Sequence, residues 1–293
     1  MKKLTPKPFL KWVGGKRSLL KQLDTNLPEF VKKNEPFIYI EPFLGGGAMF
    51  FHLLNNYNIK EVFLNDININ LINTYQEIKN NVNDLITELK CLEENYSKIN
   101  SKEKKKIYYL EKRKLFNVSK NILKKSALLI FLNKTCFNGM YRENSLGKFN
   151  VPFGDMKNPK ICDKDLLILL NKTFNNATFS STSFNKKFIK KSNYPIFYYL
   201  DPPYRPISDT SSFKDYSSKN NFNDKMQKKL FKFCEKINKN NCFFMQSNSY
   251  SNNGFFQDLY KNFNQKELLA PRMIEASGNN REKIKELIIY NYE

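Results

Sequence analysis

An acidic tetrapeptide, Asp201-Pro202-Pro203-Tyr204, follows an apolar run at residues 196–200. The branched and aromatic residues of that run favour a buried strand. The two prolines fix φ and remove two backbone N–H groups, so neither a strand nor a helix continues through them. We therefore expect a stiff loop at the carboxyl end of a strand. This loop displays one carboxylate, carbonyl oxygens without a local N–H partner, and one aromatic ring.

These groups suit a planar ring that carries an exocyclic amine. Asp201 and a neighbouring carbonyl can accept both amine protons, while Tyr204 can stack on the face of the ring. Two acceptors bias the nitrogen toward tetrahedral geometry and stabilise positive charge as the nitrogen attacks an electrophile. The alternative interpretation is a strand end with a capping Asp and a diproline turn.

A glycine turn, Gly45-Gly46-Gly47, lies between a predicted strand at 37–41 and a predicted helix from Ala48. Glycine lets the backbone approach a ligand closely. Asp66 ends the next predicted strand, 61–65, where an acidic side chain binds ribose hydroxyls in dinucleotide folds. Because the turn lacks GxGxxG, a nucleoside cofactor without phosphates fits better than NAD. The alternative role for Asp66 is a helix N-cap.

The only Trp of the chain, Trp12, lies beside Gly14-Gly15 and Lys16. This segment could close over an adenine ring and a carboxylate. The alternative is a buried structural Trp with Lys16 on the surface.

Composition narrows the class of protein. The chain has 293 residues and a net charge of +21, which points first to a polyanionic partner. No apolar run approaches the ~20 residues that a membrane span needs. The 5 cysteines form no CxxC pair, so we expect reduced thiols in a cytoplasm and no metal site. A single histidine, His52, excludes histidine base chemistry.

The predicted elements alternate between strands and helices near both ends of the chain. Further strands are predicted at 197–200, 242–246 and 286–290, and a helix at 224–238. Between them, residues 80–126 are basic and amphipathic, with a predicted apolar stripe at Leu85, Leu89, Leu92 and Tyr96. The pattern predicts an α/β core split by a basic, mostly helical insertion.

Taken together, these segments resemble the Dam family of DNA adenine-N6 methyltransferases. The match follows the family's order and spans nearly the whole chain. The matching motifs are Phe9-Leu10-Lys11-Trp12-x-Gly14-Gly15-Lys16, Glu41-Pro42-Phe43-x-Gly45-x-Gly47, Asp66-Ile67-Asn68, Asn138-Gly139, Arg142, Phe149-Asn150-Val151-Pro152-Phe153-Gly154, Asp201-Pro202-Pro203-Tyr204 and Arg281-x-Lys283.

The resemblance implies a Rossmann-like sheet that uses S-adenosylmethionine, with residues 1–70 and 160–293 as the catalytic domain. It also implies methyl transfer to an adenine flipped out of duplex DNA, without a metal. The implied catalytic residues are Asp201, Pro202 and Tyr204. The implied cofactor-binding residues are Trp12, Gly14, Lys16, Pro42, Gly45, Gly47, Asp66, Ser183, Phe184 and Asp201.

Residues 71–159 are then the DNA-recognition domain, with a recognition hairpin at 137–155. Arg142 can form a bidentate pair with guanine, and Met140 and Pro152 offer apolar surface to a thymine methyl or wedge between bases. The basic helices would follow phosphates, the alternative being a solvated lysine-rich face. Arg142 has its own alternative, a salt bridge within the hairpin. The implied DNA-binding residues are Lys11, Asn138, Met140, Arg142, Asn144, Pro152 and Arg272.

The expected target is GATC or another site containing GA in double-stranded DNA. Arg142 supports reading of the first G, whereas Asp155 stands where GATC-specific relatives carry Arg and leaves the outer half of the site open. We expect a monomer, with a cognate restriction endonuclease as a candidate partner. Competing interpretations are an RNA base methyltransferase, since the tetrapeptide also occurs in enzymes that methylate guanine N2, and a non-catalytic DNA-binding protein with a decayed pocket.

Overall fold

The computed structural model describes residues 4–12, 14–185, 192–204, 222–250, 253–270 and 284–293. Its strands are β1 (Phe37–Glu41), β2 (Ile59–Asn65), β3 (Ala177–Ser180), β4 (Ile196–Leu200), β5 (Phe243–Ser249), β6 (Asn264–Ala270) and β7 (Ile284–Tyr290). Its α-helices are α1 (Leu20–Asp24), α2 (Glu29–Lys32), α3 (Ala48–Asn56), α4 (Ile69–Asn80), α5 (Val82–Ser97), α6 (Lys102–Val118), α7 (Ile122–Thr135), α8 (Lys164–Thr173), α9 (Asp224–Lys239) and α10 (Phe255–Leu259).

The strands form a seven-stranded sheet in the order β3-β2-β1-β4-β5-β7-β6. Strands β1 to β5 pair in parallel, while β7 runs antiparallel to both β5 and β6. The chain builds outward from β1 to β3 and then returns to place β4 on the other side of β1. The carboxyl ends of β1 and β4 therefore form a topological switch point, where open α/β sheets bind their ligands. The predicted Rossmann-like α/β fold is confirmed.

The two central strands are buried along their whole length. In β1, Phe37 and Tyr39 join one hydrophobic cluster, whereas Ile38 and Ile40 join the cluster on the opposite face. Side chains alternate between the faces of a strand, so a parallel sheet covered by helices on both faces requires such a continuous apolar run. This burial fixes where Glu41 and the glycine turn leave the sheet.

The predicted basic helical region divides into α5, α6 and α7. Ser101 and Asn121 cap the second and third of these helices, each accepting a hydrogen bond from a backbone N–H three residues ahead. The predicted stripe of α5 is buried. Helix α7 is buried on most of its surface and packs against α4, α5 and α6. No helix in the described ranges has the length and apolarity to cross a membrane. The division into domains at 71–159 stays a prediction.

Strand β5 is longer than the sequence predicts. Its last residues are polar, so the apolar pattern does not reveal them as part of the strand. The apolar pattern ends at Gln246, yet the strand continues to Ser249 with these residues buried. Their polar groups find partners: Tyr260 donates to Gln246 Oε1 at 3.0 Å, and Ser247 Oγ lies 2.8 Å from Tyr199 Oη. Buried polar groups that are hydrogen-bonded are compatible with a central strand, so hydropathy alone placed the end of β5 too early.

Candidate active site and recognition loop

A cavity of about 640 Å³ opens at the carboxyl ends of β1 and β4. It is bounded by the amino-terminal segment, the glycine turn, the ends of β2 and β4, and the start of β7. Parallel strands end at a common edge, so residues far apart in sequence meet there. Nine of the residues predicted from the sequence line it: Trp12, Gly14, Lys16, Gly45, Gly47, Asp66, Asp201, Pro202 and Tyr204.

The glycine turn lies directly against Trp12. A Cβ atom on Gly45 would sit 2.9 Å from Trp12 Cδ1, and one on Gly46 would sit 2.9 Å from Trp12 Cβ. Gly45 also has a φ of +50°, which disfavours other residues. The Trp12 ring stacks on Tyr141, with ring centroids 5.2 Å apart. Trp12 thus joins the glycine turn to the segment that follows α7.

Asp66 holds the glycine turn in place. Its Oδ2 accepts a hydrogen bond from Gly45 N at 2.9 Å, and its Oδ1 accepts one from Asn68 N at 2.9 Å. Burial raises the pKa of Asp66, although both N–H donors act to lower it. The alternative role of Asp66 as the N-cap of α4 is wrong, because Asn68 caps this helix by accepting from Leu71 N.

Lys16 is buried inside the cavity wall, so the alternative of a surface lysine is wrong. Its Nζ lies 3.3 Å from Asp201 Oδ1 and 3.6 Å from Glu286 Oε2. The same Nζ donates to Gly14 O at 3.2 Å and lies 4.2 Å from the centroid of the Tyr204 ring. A single ammonium group therefore contacts both acids and the aromatic ring of the strand-end loop.

The electrostatics of Asp201 follow from these neighbours. Burial raises the pKa of its carboxyl to about 6, Lys16 opposes this rise, and the nearby charge of Glu286 adds to it. At neutral pH the carboxylate is mostly ionised and accepts hydrogen bonds. Tyr204 Oη donates to Glu286 Oε2 at 2.7 Å, which ties the loop after β4 to β7.

Two acids of the cavity were missed by the residue assignments from the sequence. Glu286 lies near the start of β7. Because β7 runs antiparallel to β5, Glu286 reaches the edge of the sheet where the parallel strands end. Glu41 ends β1 and accepts a hydrogen bond from Tyr39 Oη at 2.8 Å. Burial raises the pKa of Glu41 well above its usual value. An acid at the end of an apolar strand was the available signal for Glu41, whereas the place of Glu286 depends on the antiparallel direction of β7.

Three predicted cofactor contacts do not line the cavity described here. Pro42 O accepts from Asn65 Nδ2 at 3.0 Å, and Ser183 Oγ donates to Asn185 Oδ1 at 2.7 Å. Phe184 is buried against Phe43, which does line the cavity, with ring centroids 5.3 Å apart. Their roles as cofactor contacts stay predictions.

Residues 137–155 form an ordered loop closed by two isolated antiparallel bridges, Cys136 with Phe153 and Glu143 with Phe149. We call this segment the recognition loop after its predicted role, which stays a prediction. Asn144 holds its tip by accepting from the backbone N–H groups of Leu146 and Lys148, each at 3.0 Å. The predicted hairpin is therefore observed as two isolated bridges and a tight tip instead of a regular two-stranded ladder.

Arg142 is oriented by Asn150. Its Nε donates to Asn150 Oδ1 at 2.7 Å, and its Nη2 lies 3.3 Å from Asn150 O. The two acids of the alternative salt bridge have other partners: Asp155 pairs with Lys102 at 2.6 Å, and Glu143 accepts from Tyr141 Oη. The Arg142 side chain is half-buried within the recognition loop.

A buried asparagine joins the recognition loop to the amino-terminal segment. Asn133 Oδ1 accepts from Lys11 N at 2.9 Å, and its Nδ2 donates to Lys11 O and to Gly139 O. The loop also exposes Asn138 and Pro152, while Met140 is half-buried. Arg272, Arg281 and Lys283 lie outside the described residues.

Basic residues of α6 divide between internal and external roles. Arg113 Nη1 donates to Val151 O at 3.0 Å, and Lys112 Nζ lies 4.5 Å from the Tyr108 ring centroid. Lys104, Lys106 and Lys114 are exposed on the same helix. Part of the charge therefore supports the recognition loop, and part faces outward where it can meet an anion.

Comparison with known proteins agrees with this site. The model of the D12 class of N6 adenine-specific DNA methyltransferases matches residues 12–274. The type II methyltransferase M.MjaIII of Methanocaldococcus jannaschii is 44% identical, covering 98% of this chain and 99% of the relative. M1.LlaDCHI of Lactococcus lactis subsp. cremoris is 37% identical over 99% and 97%. A DNA adenine methylase of Haemophilus influenzae is 32% identical over 98% and 94%.

The chain belongs to the D12 class of N6 adenine-specific DNA methyltransferases. The predicted resemblance to DNA adenine-N6 methyltransferases is confirmed. Membership implies a DNA substrate and an S-adenosylmethionine-type methyl donor. It replaces the competing interpretations, an RNA guanine-N2 methyltransferase and a non-catalytic DNA-binding protein.

Proposed function

We propose that the protein methylates N6 of an adenine flipped out of duplex DNA, within GATC or another sequence containing GA. The observation that carries the proposal is the Asp201 carboxylate, which lines the cavity with a pKa of about 6 beside Lys16. This carboxylate is ionised at neutral pH and held at the edge of the sheet.

The residues of the cavity fit S-adenosylmethionine. The glycine turn packs against Trp12 and lines the cavity, and the half-buried Asp66 carboxylate offers acceptors beside it. Acidic groups favour a cationic ligand, and a nucleoside without phosphates needs no phosphate-binding GxGxxG turn. When bound, the cofactor supplies an activated methyl group. Trp12, Gly14, Lys16, Gly45, Gly47 and Asp66 are the residues proposed to hold it.

Asp201 and the Pro202 carbonyl are proposed to accept hydrogen bonds from the two N–H groups of the adenine N6 amine. Conjugation with the ring makes this amine a poor nucleophile, and two acceptors localise its lone pair and stabilise the developing positive charge. Because the methyl donor is already activated, positioning of the amine carries much of the rate enhancement. Neither a covalent enzyme intermediate nor a histidine base is required.

Tyr204 is proposed to stack on the flipped adenine. Lys16 Nζ lies over its ring at 4.2 Å from the centroid, so the base would use the opposite face. Flipping costs a few kcal/mol, which stacking and contacts with the base edge offset. Asp201 and Tyr204 belong to the same short loop, so the loop positions the stacked base and the acceptor of its amine at the same time.

The recognition loop is proposed to read the flanking bases. Arg142, oriented by Asn150, would pair with the guanine O6 and N7 atoms of the first base pair. Lys11, Asn138, Met140, Asn144, Pro152 and Arg272 are proposed to contact the DNA, and the exposed lysines of α6 to contact phosphates. All of the proposed groups lie in one chain, which favours a monomer. A cognate restriction endonuclease stays a prediction.

Labelled methyl transfer tests the proposal. Duplexes with GATC, with each base pair of GATC replaced in turn, and a matched ribosomal RNA would be incubated with labelled S-adenosylmethionine, and the products digested to nucleosides. Label in N6-methyladenine from GATC duplexes, lost when the G is replaced, is the expected result. Label in RNA, or equal labelling of all duplexes, would overturn the assignment.

A further inference from the structure

Glu286 occupies an unusual position for a carboxylate. Its side chain is only 15% exposed, lines the cavity and lies on the antiparallel strand β7, outside the loop that carries Asp201. Its negative charge raises the pKa of Asp201, which opposes the ionised state that accepts amine protons. A neutral residue at position 286 would not raise the pKa of Asp201. The contacts of the Glu286 carboxylate indicate what it contributes in return.

Glu286 contacts Tyr204 of the strand-end loop and Lys16, which in turn contacts Asp201 of that loop. Its Oε2 accepts from Tyr204 Oη at 2.7 Å and lies 3.6 Å from Lys16 Nζ. Lys16 Nζ in turn lies 3.3 Å from Asp201 Oδ1 and over the Tyr204 ring. One carboxylate thereby fixes the far end of the aromatic ring and one side of the ammonium group that touches Asp201.

The hydroxyl contact restrains the ring because the two ends of Tyr204 are held by different elements. Its backbone follows the rigid diproline at the end of β4, while its hydroxyl is held from β7. A ring anchored only through its Cβ could rotate about χ1 and χ2. A charge-assisted hydrogen bond at the hydroxyl removes much of that freedom.

We propose that Glu286 is a positioning residue for methyl transfer, which orients the Tyr204 ring through its hydroxyl and keeps the Lys16 ammonium against Asp201. This inference rests on the proposed roles of Asp201 and Tyr204. It differs from a purely structural role because it requires a change in the methyl-transfer step while cofactor binding stays intact.

The direct test compares Glu286→Gln with Glu267→Gln. Glu267 is a matched control on β6, where it is exposed and pairs with Lys285 at 2.8 Å. The single-turnover rate constant of Glu286→Gln should fall about 10- to 100-fold, since misplacement of a reacting group by an ångström has effects of this size. The control should keep the wild-type rate. Affinity for S-adenosylhomocysteine, measured by calorimetry, should change less than about twofold.

The pH dependence of the methyl-transfer rate supplies a second test, because Glu286→Gln should shift the acidic limb to lower pH while it lowers the plateau rate. The charged or titratable groups around Glu286 are Lys16, Asp201, Tyr204 and Tyr199, and Glu41 lines the same cavity. Removing the charge of Glu286 makes Asp201 easier to ionise, so the acidic limb of the rate should move to lower pH even as the plateau falls. A loss of folded protein alone would lower the plateau without moving the limb.

A double-mutant cycle identifies the route of the effect. If Glu286 acts through the Tyr204 hydroxyl, then Tyr204→Phe should also slow transfer, and the double variant should be little slower than either single variant. The same cycle uses 2-aminopurine in place of the target adenine to report stacking by fluorescence. Should Glu286→Gln not fold, Tyr204→Phe breaks the same contact from the other side and carries the same expectation.

The Asp201→Ala variant distinguishes a failure of the inference about Glu286 from a failure of the proposed function. If that variant is inactive while Glu286→Gln has the wild-type rate and an unmoved acidic limb, the inference is overturned and the proposed function stands. Fully additive effects in the cycle would also overturn it. If Asp201→Ala retains the wild-type rate, the proposed catalytic loop itself is wrong.

Discussion

The cavity at the edge of the sheet and the recognition loop hold their polar side chains in different ways. In the cavity, partners come from separate elements: Lys16 of the amino-terminal segment contacts Asp201 after β4 and Glu286 of β7. In the recognition loop, Arg142 is held by Asn150 and the tip by Asn144, both within the loop itself. Other elements hold the backbone of the recognition loop, through Arg113 and Asn133, but its Arg142 side chain is oriented from within the loop. Groups held from several elements are pre-organised for chemistry, whereas side chains oriented within one loop can adapt to a partner.

The two regions also differ in how far their side chains are exposed to solvent. Phe137, Asn138, Leu146 and Pro152 of the recognition loop are exposed, while Lys16 and Glu41 of the cavity are buried. Reading of DNA sequence needs groups that remain available to base edges. Activation of an amine needs groups shielded from water and fixed beforehand. The comparison therefore predicts that cavity substitutions change rate or cofactor affinity, and that recognition-loop substitutions change sequence discrimination.

The largest expected effect is that of Asp201→Ala. Loss of a fixed electrostatic group at a reacting atom costs about 10²–10³-fold or more in rate, so single-turnover N6-methyladenine formation should fall by at least this factor. Asp165→Ala, which removes an exposed acid in the first turn of α8, is the control. A variant at position 201 with more than a tenth of the wild-type rate would show that the amine is activated elsewhere.

Asp66→Ala should act on cofactor affinity. The substitution leaves the N–H groups of Gly45 and Asn68 without their acceptor and removes the carboxylate beside the glycine turn. Hydrogen bonds to charged groups are worth about 1.5–3 kcal/mol, so affinity for S-adenosylhomocysteine should fall about 10- to 100-fold by calorimetry. Asp84→Ala on α5 is an exposed control. Unchanged affinity would remove Asp66 from the cofactor site.

Arg142→Ala should change discrimination at one base pair by about 1–3 kcal/mol. The measurement is the ratio of single-turnover rates on GATC and on a duplex with the first pair replaced. Lys148→Ala, an exposed lysine of the same loop, should weaken binding evenly across sequences. An intact ratio in the Arg142 variant would show that the first base pair is read by another group.

The smallest expected effect is that of pH on the wild-type protein. Because the pKa of Asp201 is raised to about 6, the acceptor is ionised above this pH and protonated below it. The single-turnover rate should rise through pH 6 and fall about tenfold from pH 7 to pH 5. Asp201→Asn should lose this acidic limb. A rate that increases as pH falls would contradict the proposed acceptor role.

Much of the sheet could be predicted from the sequence because buried parallel strands are apolar along their whole length. The predicted bounds of β1 agree with the structure, and β4 covers the apolar run at 196–200. The end of β5 and the whole of β6 were not predicted, because Ser247 to Ser249 and the residues of β6 carry no apolar alternation. Pairing with β7 stabilises both, and such pairing is not visible in a local pattern.

The site shows a similar limit. Asp66, Asp201 and the glycine turn could be assigned because each follows a recognisable strand. Glu286 could not, since its place depends on the antiparallel return of β7 to the cavity edge. The buried position of Lys16 was also open, because a lysine beside glycines has no burial signal until Asp201 and Glu286 are placed around it. Contacts between elements that are distant in sequence determine the position of Glu286 and the burial of Lys16.

The most direct test of the account is the crystal structure of the protein with S-adenosylhomocysteine and a GATC duplex. We predict an extrahelical adenine with N6 within about 3 Å of an Asp201 carboxylate oxygen and of the Pro202 carbonyl, which is hydrogen-bonding distance. Its ring would stack on Tyr204, and Arg142 would contact the guanine of the first base pair. An extrahelical adenine whose N6 faces other acceptors would contradict the central claim that the loop after β4 activates the amine.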